Sequence, residues 1–294
     1  MSAPGARMGK GSTTPSDSFS FHAPTRLLFG PGRLGHLHEQ AMPGKRAMLV
    51  ISNGKSMRAN GYLDRTLERL RLAGVDTVLF DKVAANPTKQ VVEEGASFAR
   101  EHGAEFIVAL GGGSVMGAAK VMALLAPLPP DGLWDYSTGS TGRHLPLQRP
   151  EMPWVAITTT AGTGSEVDCG GVISKLDTHE KIGILPQQLR DDRRGRPGAH
   201  AERASQVHGV PGVRRAVPQH GGFICNRESP FGQMVQLEAM RNIGAWLPVA
   251  VRDGSSLEAL GELQVACGVD GMRMSDYGFA GTRGGAEVTV PALS

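Results

Sequence analysis

The chain has 294 residues, of which 40% are hydrophobic and 20% charged, and its formal net charge at pH 7 is +3. This length allows one large or two ordinary domains with a sizeable core. The near balance of charge argues against nucleic acid as a partner, and no stretch approaches the roughly 20 apolar residues of a membrane span. The N-terminus also lacks the apolar core of a signal peptide, so we expect a cytoplasmic protein that does not bind a membrane.

Short apolar runs alternate with segments of helical periodicity over residues 19–184. The preceding residues, 1–18, are rich in Gly, Ser, Thr and Pro and predict a flexible tail. Strands are predicted at 21–29, 47–51, 75–80, 106–110 and 154–157, and helices at 62–73, 89–102 and 118–125. This alternation predicts an α/β domain whose parallel sheet is covered by helices on both faces.

A glycine turn, Gly111-Gly112-Gly113-Ser114, follows the strand predicted at 106–110 and leads into a helix. Glycines let the backbone approach a phosphate, and the amides at a helix N-terminus donate hydrogen bonds to the anion. The same pattern also occurs in strand-to-helix turns that bind nothing. Because ligands of parallel sheets bind beyond the carboxyl ends of the strands, this position favours a nucleotide site.

A second loop, at 158–166, follows the strand predicted at 154–157 and consists mainly of threonines and glycines. Such a loop offers many hydrogen-bond donors to a sugar or a phosphate, although Ser and Thr also cap helices. We interpret the two loops together as parts of one nucleotide site, because both come at strand ends of the same predicted sheet.

These segments resemble the iron-containing (metal-dependent, group III) alcohol dehydrogenase family, which includes butanol dehydrogenases and lactaldehyde reductases. The resemblance covers about residues 19–184 and again 223–259. The matching motifs, in family order, are FGPG at 29–32, NG at 60–61, NPT at 86–88, GGGS at 111–114, TTAGTGSE at 159–166, and Lys181.

The resemblance implies an N-terminal α/β domain that binds NAD or NADP, followed by a partial all-α domain. It also implies hydride transfer between the nicotinamide and a small alcohol or aldehyde held by a divalent metal, iron or zinc. A homo-oligomer is left open, and no catalytic residue is assigned. The cofactor contacts that it implies are Gly112, Gly113 and Ser114 for the pyrophosphate, Thr159, Thr160 and Thr163 near the adenine and ribose, Asn86 beside them, and Lys181 for ribose hydroxyls.

Two positions bear on the choice of cofactor and on its affinity. Asn53 stands where many NAD-preferring members have an acid for the adenosine ribose, so the 2′-phosphate of NADP is not repelled. Gly117 stands where the family usually has an acidic residue, which predicts a lower affinity for the cofactor. Glycine there also weakens the first helical turn by roughly 1 kcal/mol relative to alanine.

The largest departure from the family concerns the metal ligands. The family supplies two of them from a DAxxH pair, whose Asp and His lie on one face of a helix. The aligned positions are Arg214 and Pro218, neither of which can bind a metal, and the proline would break the helix. The last histidine is His220, so the later residues do not supply the family's two remaining histidine ligands. We therefore expect no metal site of the family's kind and little or no turnover.

A shifted reading frame is our hypothesis for this loss. Codons can be chosen for RRAVPQHGG at 214–222 that, read one base further on, encode DALFHSMEG, which is the family's ligand helix. The same shift turns RPGAHA at 196–201 into DPELTL, another family phrase. We interpret 185–222 as an aberrant Arg/Gly/Pro-rich segment translated in the wrong frame; the alternative is an ordinary arginine-rich surface loop.

Residues 223–294 are then a partial remnant of the helical metal domain. Helical periodicity predicts a helix at 231–250 that continues over 255–263. Three hypotheses remain open: an impaired alcohol dehydrogenase, a non-catalytic nucleotide-binding remnant, and a chain that folds poorly because the helical domain cannot close.

Overall fold

The computed structural model describes much of the chain outside 1–24 and 185–229. The described residues are 25–30, 32–129, 132–137, 141–143, 145, 151–160, 163–168, 170–184, 200–201, 230–274 and 288–290. The predicted tail, residues 1–18, lies outside them, as do Arg214, Pro218 and all of the predicted aberrant segment 185–222 except 200–201.

Strands and helices alternate over residues 26–158, as the sequence predicts. The strands are β1 (Arg26–Phe29), β2 (Arg46–Ser52), β3 (Asp76–Val83), β4 (Phe106–Gly111) and β5 (Trp154–Thr158). The helices are α1 (Ser56–Ala59), α2 (Tyr62–Leu72), α3 (Lys89–Glu101) and α4 (Gly113–Leu125), with short 3-10 helices at Arg33–Glu39 and Leu133–Tyr136.

The strand order is β3-β2-β4-β5-β9-β1-β8, where β8 is His200–Ala201 and β9 is Val288–Val290, and the paired strands run parallel. All six residues of β4 are buried, which explains its continuous apolar sequence. One hydrophobic cluster lies under α3 and α4, and a second, on the other face, under α2 and the 33–39 helix. The prediction of a parallel sheet covered on both faces is therefore confirmed.

Helix α4 begins at Gly113, earlier than the predicted start at 118. The Met116 amide donates to the Gly112 carbonyl oxygen at 3.0 Å, so the last glycine of the turn and Ser114 already belong to the first helical turn. The predicted start was wrong because it relied on the low helix propensity of glycine, which applies to helix interiors. In the first turn of a helix glycine is tolerated.

An antiparallel hairpin follows the second loop and is not predicted by the sequence. It consists of β6 (Gly171–Lys175) and β7 (Glu180–Ile184). The Ser174 amide donates to the Pro87 carbonyl oxygen at 2.9 Å, and Thr88 forms a parallel bridge with Ser174. The hairpin is thereby attached beside the 86–88 loop.

Two long helices, α5 (Pro230–Arg252) and α6 (Leu257–Met274), pack against each other. Their contact is built by Ala239, Ile243, Leu263 and Ala266. The helix predicted at 231–250 is confirmed, while the second helix is separate from it and extends beyond the predicted end at 263. Among the residues that the structure describes, no helix combines the length and apolar character needed to cross a membrane.

Candidate functional site

A cleft of about 360 Å³ lies where β4 and β5 end. Five of the predicted cofactor residues line it: Asn86, Gly113, Ser114, Thr163 and Lys181. The other lining residues are Pro87, Gly117, Ser165, Asp168, Gly170, Gly171, Val172 and Gly183. The structure thus brings together residues of the NPT loop, the glycine turn, the second loop and the hairpin.

The remaining predicted residues do not line this cleft. The Thr160 side chain lies next to Gly112, and the Thr159 amide donates to the Gly111 carbonyl oxygen at 3.0 Å. Asn53 follows β2, and its amide donates to the carbonyl oxygen of Val83 at 3.0 Å. Thr159 and Thr160 therefore lie against the glycine turn. Asn53 follows β2, which runs parallel to β4, so it lies at the same carboxyl edge of the sheet but outside the cleft lining.

The N-terminus of α4 is shaped to receive an anion. Gly112 precedes the helix in an extended conformation, with φ −88° and ψ −172°, and has no side chain that could cap it. The first amides of a helix have no intrahelical acceptor, and the helix dipole places positive potential there. A phosphate in the cleft beside Gly113 and Ser114 would receive hydrogen bonds from these amides.

The glycines of the turn are required because the second loop packs directly on them. A Cβ atom on Gly113 would lie 2.7 Å from Cγ2 of Thr163, and one on Gly112 would lie 3.0 Å from Oγ1 of Thr160. Both distances are shorter than ordinary van der Waals contacts. Any larger residue at 112 or 113 would therefore push the two loops apart and change the width of the cleft.

Lys181 and Asn86 form a polar pair on another wall of the cleft. The Lys181 ammonium donates to Oδ1 of Asn86 at 2.8 Å. Asn86 has φ +55°, a left-handed conformation that Asn tolerates better than most residues. Thr88, two residues later, caps α3, with its Oγ1 accepting from the Val91 amide at 3.4 Å. Hairpin strand β7 thus brings a cation to the cleft, and the NPT loop orients it.

A buried cation, Lys120, lies behind the second loop. Its side chain is 1% exposed, and its ammonium donates to the carbonyl oxygen and to Oγ of Ser165, both at 2.9 Å. It also forms a salt bridge with Oδ1 of Asp168 and lies 5.5 Å from the ring centroid of Trp154. This network fixes the second loop to the middle of α4.

Asp168 is the one acidic side chain among the described residues that line the cleft. Burial raises the pKa of its carboxyl, and the neighbouring Lys120 ammonium opposes that shift. The sequence analysis did not identify either residue. The available signal was a single lysine within the apolar helix sequence AAKVMALL, since a lysine buried in a core requires a partner.

Gly117 faces the cleft and contacts the hairpin main chain. A Cβ atom on Gly171 would lie 2.2 Å from the Gly117 carbonyl oxygen, and one on Gly117 would lie 3.3 Å from the Gly171 Cα atom. The structure therefore adds a packing reason for glycine at position 117. The lower cofactor affinity expected from the missing acid stays a prediction.

No group of three or more His, Cys, Asp or Glu side chains that could hold a metal ion occurs among the described residues. The positions aligned with the family's ligand pair, Arg214 and Pro218, lie outside those residues. Neither side chain has the chemistry of a metal ligand: arginine stays protonated, and proline has no donor atom in its side chain. These two positions thus do not fit the metal that the family resemblance implies.

The chain is similar in sequence to known dehydrogenases. A family model described as "Iron-containing alcohol dehydrogenase" matches residues 24–191. The 1,3-propanediol dehydrogenase of Klebsiella pneumoniae is 31% identical over 268 residues, which cover 88% of this chain and 66% of that protein. A probable NADH-dependent butanol dehydrogenase of Bacillus subtilis (strain 168) is 33% identical over 166 residues, 56% of this chain and 41% of that protein.

The fold is shared with solved alcohol dehydrogenases. The archaeal halo-thermophilic alcohol dehydrogenase of a Red Sea brine pool superposes with a TM-score of 0.73 at 26% identity, covering 89% of this chain and 66% of that one. The chain therefore spans less than two thirds of the length of these relatives.

Proposed function

Because this chain belongs to the iron-containing alcohol dehydrogenase family, we propose that it binds NAD or NADP in the cleft between the glycine turn and the hairpin. The observation that carries this proposal is the convergence of an uncapped helix N-terminus, a glycine cradle and the Lys181–Asn86 pair in one cleft. These groups suit a ligand that has both phosphates and sugar hydroxyls.

The residues of the cleft fit such a dinucleotide. Gly113 and Ser114 would receive the pyrophosphate at the start of α4, where backbone amides and the helix dipole favour an anion. Lys181 would donate to ribose hydroxyls, and Asn86 holds its ammonium in place through the 2.8 Å hydrogen bond. Thr163 lines the cleft beside the pyrophosphate position, since its side chain packs on Gly113.

Asn53 is compatible with either NAD or NADP as the cofactor. A carboxylate at this position would repel the 2′-phosphate of NADP, whereas the neutral amide does not. We propose that the chain binds NADH and NADPH with affinities within about one order of magnitude of each other.

The parent reaction is hydride transfer between the nicotinamide and a small alcohol or aldehyde, as the names of the relatives indicate. In that chemistry a divalent metal polarises the carbonyl and stabilises the alkoxide, which contributes several kcal/mol to lowering the barrier. Since Arg214 and Pro218 do not fit the metal, we propose that turnover is impaired in this chain. The alternative, a non-catalytic remnant that binds nucleotide, rests on the same replacement of both ligands.

Two measurements on the purified full chain test this proposal. The first is titration with NADH and NADPH, followed by the fluorescence of the nicotinamide. The second is steady-state oxidation of 1-butanol and 1,3-propanediol by NAD⁺ or NADP⁺, with added Fe²⁺ or Zn²⁺. We expect saturable binding and little or no turnover. Failure to bind either cofactor contradicts the site, and turnover at rates typical of enzymes contradicts the impairment.

A further inference from the structure

We propose that Asp168 is a specificity-determining residue of the cleft, which accepts a hydrogen bond from a neutral donor of the bound nucleotide, a ribose hydroxyl or an amide N–H. The inference rests on the proposed dinucleotide binding and adds a contact that the sequence analysis does not assign. The Asp168 carboxylate is held by Lys120, and Asp168 lines the cleft.

The carboxylate is anchored on its inner side. Its Oδ1 atom forms the salt bridge with Lys120 and accepts from the Gly170 amide at 3.1 Å. Lys120 is itself fixed by two hydrogen bonds of 2.9 Å to Ser165. With these fixed neighbours, the carboxylate loses little freedom when it binds a ligand.

Asp168 also keeps part of its side chain exposed. Its side chain is 21% exposed, whereas that of Lys120 is 1% exposed, and Asp168 belongs to the cleft lining. An ionised carboxylate offers about four lone-pair positions, more than its inner partners use. It can therefore accept a further hydrogen bond from a ligand in the cleft.

Two glycines whose main chains are in contact, Gly117 and Gly171, form part of the cleft wall together with Asp168. Gly117 lies one turn of α4 before Lys120, so these two residues are neighbours on the helix surface. Gly117, Gly171 and Asp168 all line the cleft. A ligand atom that meets Asp168 therefore passes a wall that contains main chain and no bulky side chain at these two positions.

The charge determines which ligand group can occupy this position. A carboxylate repels a phosphate, so the pyrophosphate is restricted to the α4 N-terminus, where the amides attract it. A hydroxyl or an amide N–H can donate to the carboxylate in a charge-assisted hydrogen bond. Asp168 and the glycine turn therefore fix the position of the pyrophosphate within the cleft by opposite electrostatic preferences.

The test is the affinity of the Asp168→Asn variant for NADH, measured by fluorescence titration. We expect the affinity to fall about tenfold, because a hydrogen bond to a charged group contributes about that factor. Asp177→Asn is the matched control, since Asp177 lies in the turn of the adjacent hairpin, is 72% exposed and does not line the cleft; its affinity should equal that of the wild type. Equal affinities of all three proteins overturn the inference.

A second variant separates binding from folding, because Asp168→Asn leaves Lys120 without its carboxylate. In the double variant Lys120→Met/Asp168→Asn neither charge is present, and we expect NADH affinity to stay about tenfold low. Recovery of wild-type affinity in the double variant overturns the inference. The wild type and Asp168→Asn are then titrated with ADP-ribose and with nicotinamide mononucleotide, to show which half of the cofactor meets Asp168. A lower affinity of the variant for either compound supports the inference.

The failure of the proposed function gives a different result. If the wild type binds neither NADH nor NADPH, both the proposed function and this inference are overturned. If the wild type binds and Asp168→Asn binds equally well, only the inference fails.

Discussion

The main chains of Gly117 and Gly171 are in contact: a Cβ atom added to Gly171 would lie 2.2 Å from the Gly117 carbonyl oxygen. The contact joins the second turn of α4 to the first residue of β6. It brings the hairpin, and with it Lys181, to the helix whose N-terminus forms the anion site. The cleft therefore depends on two residues without side chains, from segments far apart in the chain.

Substitution Gly171→Ala tests this contact. We expect the free energy of unfolding to fall by about 1–3 kcal/mol, because the new methyl group must displace the main chain of α4. Urea unfolding provides the measurement. Gly183→Ala is the control, since a Cβ atom there meets nothing within 4 Å, and it should change stability by less than about 0.5 kcal/mol. Equal stabilities of the two variants would contradict the packing.

Substitution Gly113→Ala tests the glycine cradle. The added methyl group would lie 2.7 Å from Cγ2 of Thr163, so the second loop must move, and we expect NADH affinity to fall about tenfold or more. Adding Thr163→Ala removes the two closest atoms, Cγ2 and Oγ1, and should restore part of the loss. Gly35→Ala, at a position with open space around it, controls for a general effect of alanine. The idea fails if Gly113→Ala binds NADH as the wild type does.

Lys181→Met tests the cation opposite the glycine turn. We expect NADH affinity to fall about 3- to 10-fold, because a charge-assisted hydrogen bond is lost. Lys82→Met is the matched control, as Lys82 pairs with Glu94 outside the cleft lining. Isothermal titration calorimetry on the three proteins decides the outcome, and a loss as large in Lys82→Met would refute a specific role for Lys181.

Lys120→Met tests the buried ion pair through stability alone. Loss of the ammonium leaves the Asp168 carboxylate in a buried environment without its main partner, so we expect destabilisation of about 2–4 kcal/mol. In a double-mutant cycle with Asp168→Asn the effects should be strongly non-additive, with the double variant more stable than the sum of the single losses predicts. Additive effects in urea unfolding would show that the two side chains do not interact.

The frame hypothesis concerns residues 185–222 and has its own test. Sequencing the coding DNA across the codons for 181–222 should reveal an insertion or a miscalled base before Arg196 and a compensating change near Gly222. If the bases stand as translated, the arginine-rich loop is genuine. A chain carrying DALFHSMEG at 214–222 should also gain affinity for Zn²⁺ or Fe²⁺ relative to the present chain, since Asp and His four residues apart form a ligand pair.

Strand β4 and the turn after it could be predicted because their information is local. Six consecutive buried residues in β4 and the run of three glycines at 111–113 identify a parallel strand and a strand-to-helix turn. Helix α3 was equally predictable, since Thr88 caps it and its buried residues recur at helical spacing.

The hairpin and the Lys120–Asp168 pair could not be predicted in the same way. The two residues of the pair are 48 positions apart, and only the fold brings them together. The sequence of β6 does not alternate between apolar and polar residues. The apolar Val172 is 52% exposed because it lines the cleft. Sequence patterns that report burial therefore miss a strand that builds a ligand site.

Hydrogen exchange of the purified full chain with and without NADH tests the central claim most directly, because it reports where the cofactor binds. We predict slower exchange at the amides of 112–117, 163–168 and 180–183 when NADH is present, with unchanged exchange in 230–252 and 257–274. These are the glycine turn, the second loop and the β7 strand, whereas the two long helices serve as the internal reference. Unchanged exchange throughout, or protection confined to the two long helices, would contradict the assignment of the cleft as the dinucleotide site.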